Sequence, residues 1–240
     1  MKPILLFDLG DTLIRYYQRE EFPPILQEGI QGAKEAVEQA GCVVPSEAEI
    51  QRRVAAENHE AKNSRVRPLE KRLAYIFGVK HHTSDRAWWL PICRAFLVPI
   101  FAIAEIYEDT LPALDAYREK GYRIGILSNC PWGAPSEPWF DELRRHGLLE
   151  RCELAIFCSD VGWRKPAQPM FRQALAHFRC ESQACLFIGD NPRWDTLGAQ
   201  RAGMISVLID RTGQANTNAD FQIQSLLQLT GILEHIEYKP

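Results

Sequence analysis

From residue 109 to 208, short apolar runs alternate with amphipathic stretches, and this alternation constrains the fold more than any other feature. Residues 110–120 have helical periodicity and stop at Gly121, and residues 123–127 form a strand ending in Ser128 and Asn129. Residues 138–145 are helical, 154–157 a strand, 168–178 a helix, and 185–188 a strand ending at Gly189 and Asp190. A helix over 195–202, a last strand at 205–209 and a terminal amphipathic helix over 223–236 complete the series. Strands alternating with helices predict a parallel sheet covered on both faces. The uncharged run at 4–7 suits one more fully buried strand of that sheet.

Between Ile14 and Ile106 the signals are helical throughout. They cover 27–40, a segment starting at Ser46 with Glu49 as its capping-box partner, 68–77, and 87–106. The expected fold class is therefore α/β: a doubly wound, Rossmann-like core of residues 1–14 and 107–240, interrupted by an all-helical domain of residues 15–106.

With 240 residues, 46% of them hydrophobic, the chain can bury such a core. A formal net charge of −3 gives no electrostatic case for nucleic acid or an anionic membrane as partner. No uncharged run approaches the ~18 residues of a membrane span, so a cytoplasmic protein is expected. Seven cysteines without a CxxC pair suit buried thiols in a reducing compartment better than a disulfide framework or a zinc site. The six histidines show no ligand spacing, and the sequence assigns no oligomeric state.

Parallel strands place their carboxyl ends on one edge, where open α/β sheets bind ligands. Here that edge collects Asp8, Gly10, Asp11 and Thr12, then Ser128 and Asn129, then Lys165, then Asp190 and Asp195. Singly, each has a bland explanation: Asp8 as a helix cap, Ser128 as a turn cap, Asp195 as an N-cap. Together they suggest chemistry. Crowded carboxylates repel unless a cation sits among them, and hard oxygen ligands suit Mg²⁺. A lysine and a hydroxyl can hold a phosphate dianion, which leaves one carboxylate to attack phosphorus.

The segments Phe7-Asp8-Leu9-Gly10-Asp11-Thr12, Ile126-Leu127-Ser128-Asn129, Lys165-Pro166, and Gly189-Asp190 with Asp195 resemble, in order and spacing, the four motifs of the haloacid dehalogenase superfamily. The resemblance covers the first strand and residues 109–208, and the helical block takes the place of a cap between the first two motifs. It implies Asp8 as nucleophile, Ser128, Asn129 and Lys165 as phosphate-binding groups, and Lys165 as the residue fixing Asp8. It also implies Mg²⁺ on Asp8, the Gly10 backbone carbonyl and Asp190, with Asp195 as a ligand directly or through water. The implied activity is a Mg²⁺-dependent phosphatase acting on a small phosphorylated metabolite through an aspartyl phosphate. A weak or inactive phosphate- or protein-binding member, or a metal-free 2-haloacid dehalogenase, are the alternatives.

One position departs from the pattern. Phosphatases of the superfamily carry a second Asp two residues after the nucleophile as general acid and base. Here that residue is Gly10, and the carboxylate moves to Asp11, where its side chain is expected to point elsewhere. Losing a general acid or base costs about 10²–10⁴ in rate. The expectation is a slow enzyme favouring good leaving groups, with Asp11 as candidate substitute. Trp132, Trp163 and Trp194 follow successive strands, as substrate-stacking rings or as a seat for the helical domain. A basic stretch over 62–86 is read as a solvated face or an attractor of anions.

Overall fold

A computed structural model describes residues 2–82, 85–214 and 217–237. In chain order the elements are β1 (Ile4–Phe7), β2 (Ile14–Arg15), α1 (Phe22–Gln39), α2 (Glu47–Glu57), α3 (Leu69–Phe77), α4 (Arg86–Ala102) and β3 (Glu105–Ile106). There follow α5 (Thr110–Glu119), β4 (Ile124–Ser128), α6 (Glu137–Arg145), β5 (Leu154–Phe157), α7 (Cys158–Val161), α8 (Gln168–Phe178), β6 (Cys185–Gly189), α9 (Leu197–Arg201), β7 (Ile205–Ile209), β8 (Phe221–Ile223) and α10 (Leu229–Glu237). They form two compact units.

The first unit comprises Met1–Arg15, Glu105–Asn129 and Leu143–Pro240. Its six-stranded parallel sheet has the order β5-β4-β1-β6-β7-β8. Every residue of β1, β4 and β6 is buried, which is why these strands read as continuous apolar runs. The chain moves from β1 outward through β4 and β5, then returns to the other side of β1 with β6. That reversal makes the carboxyl ends of β4, β1 and β6 a switch point. Helix α8 packs on β4 and β5, and α9 on β7.

Three local expectations change. The last strand is β8 rather than β7; it is three residues long and is anchored by Asp220, whose carboxylate accepts from the Ser206 N–H (2.8 Å) and Oγ (2.6 Å). The stretch 223–236 is helical only from Leu226 on, after a capping box of Ser225 and Gln228. A short antiparallel pair, β2 with β3, stands where helix was expected at both ends of the insertion. Two-residue strands leave no periodicity for a sequence to display.

The second unit comprises Tyr16–Ala104 and Cys130–Glu142. Helix α1 buries Leu26, Ile30, Ala33 and Val37 and packs along α4. The approach is close because α1 carries Gly29 and Gly32, where an added Cβ would lie 2.7 and 2.9 Å from the Phe96 and Ala95 carbonyl oxygens. Helix α1 also begins earlier than its periodicity suggests, since a proline in its first turn costs no hydrogen bond. The expected capping box on α2 is not formed. Glu49 is drawn instead to Arg52 and Arg53, and the two arginines take its carboxyl down to about 2.

Residues 130–142, which the sequence assigns to the core, belong to the helical unit. Aromatic anchors explain this. Trp132 is buried 5.7 Å from the Phe96 ring, and Trp139 meets Tyr16 and Phe101 edge-on. The basic stretch is partly neutralised as well: Arg67 pairs with Glu57, Arg72 with Glu60 and Arg86 with Glu137. Among the described residues, no helix is long and apolar enough to cross a membrane.

Candidate active site

Strand β1 delivers Asp8 to the carboxyl edge. The Asp8 N–H continues the sheet by donating to the Ile188 carbonyl (2.8 Å), and its side chain is buried. The chain then turns sharply: the Leu9 carbonyl accepts from Leu13 (2.9 Å) and Ile14 (3.0 Å), and the Asp11 N–H donates to Ile14 (2.7 Å). This turn holds Asp11 in the left-handed region, φ 54°, which Asp tolerates better than most residues. Its charge acts on both Asp190 and Tyr107. Asp11 therefore lies within electrostatic reach of the cluster.

The turn is braced by residues that sequence reading passed over. Arg211 donates to the Thr12 carbonyl (2.8 Å) and with two nitrogens to Asp109 (3.0 and 3.1 Å), while its guanidinium sits 3.7 Å from the Tyr107 ring centroid. Thr110 Oγ1 donates to the Leu13 carbonyl (2.9 Å). Asp109 also accepts from Ser225 Oγ (2.7 Å) and the Leu226 N–H (2.8 Å). Burial alone would raise its carboxyl, but Arg211, Ser225 and Leu226 together hold it below the usual range. These partners are 97 to 199 residues apart in the chain, so no local pattern announces them.

Lys165 is buried at the centre. Its Nζ donates to Asp8 Oδ1 (2.6 Å) and the Leu127 carbonyl (3.0 Å) and pairs with Asp195 Oδ1 (2.6 Å). Burial pulls its ammonium down, yet Asp195 and Asp8 together hold it above the usual lysine range. The backbone of Lys165 is clamped by Asn129, whose Oδ1 accepts from the Lys165 N–H (2.8 Å) and whose Nδ2 donates to its carbonyl (3.3 Å). The Asn129 side chain, expected on phosphate, is thus spent on aligning Lys165. The Lys165–Pro166 peptide is cis. Ser128 ends β4 buried beside this clamp.

Asp195 sits in a π-helical turn, Pro192–Thr196. One oxygen meets Lys165 and the other accepts from the Asn191 N–H (3.0 Å). It is not the N-cap. That role falls to Asn191, whose Oδ1 accepts from Arg193 (3.0 Å) and Trp194 (3.1 Å). Burial pushes Asp195 up to about 6, with Lys165 opposing and Asp8 adding. Gly189 is required here, because a Cβ would fall 2.5 Å from the Asp195 Cγ. Of the three tryptophans, Trp194 is exposed beside Asp195 and Trp163 is half-buried, whereas Trp132 is buried in the helical unit.

Asp190 completes the group. Burial first, then the charges of Asp195, Asp8 and Asp11, push its carboxyl well above the usual range, and Lys165 offsets only part of this. Carboxylate oxygens of Asp8, Asp190 and Asp195 lie within 4.8 Å of one another. Three clustered acids, two of them paired with a single ammonium, leave surplus negative charge in a place largely shielded from water. A hard divalent cation relieves that surplus, so the donor set fits Mg²⁺.

A family model of haloacid dehalogenase-like hydrolases matches residues 3–203. A ribulose-1,5-bisphosphate 5-phosphatase of Halopiger xanaduensis is 24% identical over 257 residues, covering 97% of this chain and 100% of that protein. A glyceraldehyde 3-phosphate phosphatase of Methanothermobacter thermautotrophicus is 30% identical over 110 residues, 46% of this chain and 47% of its own. The chain spans about half the length of the glyceraldehyde 3-phosphate phosphatases it matches. Among solved structures, a 2-haloacid dehalogenase from Pseudomonas syringae superposes with a TM-score of 0.67 at 24% identity, covering 98% of this chain and 100% of its own. A phosphatase from Thermococcus onnurineus gives 0.63 at 23%, covering 97% and 98%. At these identities the two structures establish the fold alone.

Proposed function

Because the chain belongs to the haloacid dehalogenase-like hydrolase family, we propose that it is a Mg²⁺-dependent phosphatase acting on a small phosphorylated metabolite, with Asp8 as nucleophile. The observation that carries this reading is the surplus of acid beside Lys165: its ammonium pairs with Asp8 and Asp195, and an Asp190 oxygen lies within 4.8 Å of both of those carboxylates. A metal-free dehalogenase has no need of the third carboxylate. The full-length relative's name, a sugar bisphosphate phosphatase, supports the same substrate class.

In this reading Asp8, Asp190 and the Gly10 carbonyl hold the cation, with Asp195 behind them orienting Lys165. When bound, Mg²⁺ supplies charge neutralisation for the phosphoryl group and for the crowded acids. Lys165 fixes Asp8 through Oδ1, so the other oxygen attacks phosphorus. Ser128 Oγ, the Asn129 main-chain N–H and Lys165 receive the phosphoryl oxygens. The leaving oxygen departs without a proton from residue 10, and water later cleaves the aspartyl phosphate. Asp11, held within reach of the cluster, is the candidate for proton transfer in both steps.

A screen of phosphorylated metabolites with and without Mg²⁺, with Asp8→Asn as control, tests this directly. Phosphate release that needs both Mg²⁺ and Asp8 is the expected outcome. Halide release from 2-haloacids without metal, or phosphate release unaffected by Asp8→Asn, would overturn it.

A further inference from the structure

Two thiols meet at the amino-terminal end of β6, the end of the strand opposite Asp190. Cys185 opens the strand and is fully buried, Cys180 follows α8 and is half-buried, and their sulfurs lie 3.3 Å apart. A tight connection brings them together. Arg179 ends α8 in the left-handed region at φ 53°, and one 3-10 turn, Ser182–Ala184, returns the chain to the strand.

We propose that Cys180 and Cys185 are a dithiol site that a low-molecular-weight disulfide oxidises to an intrachain bridge. Cys180, the accessible member, attacks one sulfur of the oxidant as the thiolate and displaces the first small thiolate. Cys185 then attacks the Cys180 sulfur and displaces the second small thiolate, which carries away the Cys185 proton. Two protein thiols become one disulfide while the oxidant is reduced to two thiols, so electrons and protons balance.

The order of attack follows from the surroundings. Burial, and then the neighbouring Cys180, push the Cys185 thiol up, so Cys180 is the one that attacks first. Arg123 donates to the Phe178 carbonyl at the same helix end (3.2 Å), and its guanidinium is within electrostatic reach of Cys180. Bonded sulfurs lie about 2.05 Å apart, so bridging closes the present gap by roughly 1.2 Å, a distance within side-chain rotation at Cys180. The bridge would tie the end of α8 to the start of β6. The site does not depend on the phosphatase reading.

The full chain, incubated with oxidised glutathione in native buffer, is denatured in an alkylating agent and digested with trypsin. Both cysteines fall in one peptide, residues 180–193, because no Lys or Arg lies between Arg179 and Arg193. The expected product is that peptide unalkylated and about 2 Da lighter than its reduced form, with the other five cysteines alkylated. Cys185→Ser should stop at a stable glutathione adduct on Cys180. Alkylation of both positions, a lasting adduct in the unsubstituted chain, or a bridge to a third cysteine would overturn the proposal. The deciding measurement uses the unsubstituted chain and does not depend on either variant folding.

Discussion

Two cations are buried to the same depth in this protein, and their settings differ. Lys165 and Arg72 are each 2% exposed. In the helical unit, Arg72 donates to the carbonyls of Arg67 and Glu57 (3.1 Å each) and to Glu60 (2.9 Å), and lies 5.1 Å from the Trp132 ring centroid. One partly exposed carboxylate answers its charge, and backbone acceptors and an aromatic face fill the remaining directions. In the sheet unit, Lys165 touches two carboxylates with a third close by. The helical site is balanced by its own groups. The sheet site is overdrawn in negative charge and calls for something from outside. Burial of a charge is therefore a poor guide to function, and its residual imbalance a better one.

The largest effect that sharpens this contrast is expected from Asp8→Asn, which should lower turnover by on the order of 10⁶-fold, as loss of a nucleophile does, and abolish trapping of beryllofluoride. Steady-state phosphate release on a responsive substrate checks it. Next, Lys165→Met should both stop turnover and cost about 3–5 kcal/mol, because it strands two buried carboxylates. Arg72→Met should cost about 1–3 kcal/mol, through two carbonyls losing their donor, with kcat per folded molecule unchanged. Equal losses of kcat in the two variants would break the comparison. Denaturant unfolding and active-site titration separate the two quantities.

A smaller effect is expected at Gly10. Gly10→Asp should raise rates on alkyl phosphates by about 10-fold or more, within the range for a general acid, and flatten the dependence on leaving-group pKa. A wild-type dependence that is already flat, with chemistry rate-limiting, would assign proton transfer to Asp11 or another residue. Of comparable size is the stabilisation by metal, about 2.7 kcal/mol at a hundred times its dissociation constant. Thermal unfolding should shift upward on adding Mg²⁺ and lose that shift in Asp190→Asn, whereas Arg72→Met should keep it.

The smallest prediction concerns Asp109. Its carboxyl is held below the ordinary value of 3.8 in the folded state, so the folded protein binds fewer protons there than the unfolded chain. Its contribution is complete above that ordinary value and is lost as pH falls through the lower folded value. Asp109→Asn should remove this part of the acid-side decline, as read from denaturant midpoints across the acid range.

Much of the site was legible because strand ends carry polar residues directly after an apolar run. Asp8, Ser128 and Asp190 stand on the same edge for that reason alone, whereas Lys165 comes from the loop beyond β5 and α7. Asn129 and Asp195 were visible as positions and differ in their duties. One clamps the Lys165 backbone and the other pins its ammonium, and both depend on a loop 30 or more residues away. The brace of Asp109, Arg211, Thr110 and Ser225 left no trace, since its members share no spacing.

What the sequence determined by itself was the order of strands and helices, the edge where polar groups gather, and the missing carboxylate at Gly10. These follow from periodicity and chain order, which are local properties. Only the tertiary structure decided that residues 130–142 join the helical unit, that Asp11 turns left-handed, and that two acids hold one lysine with a third acid close by. Each of those depends on groups distant in the chain meeting in a place shielded from water, where unbalanced charge is felt most strongly.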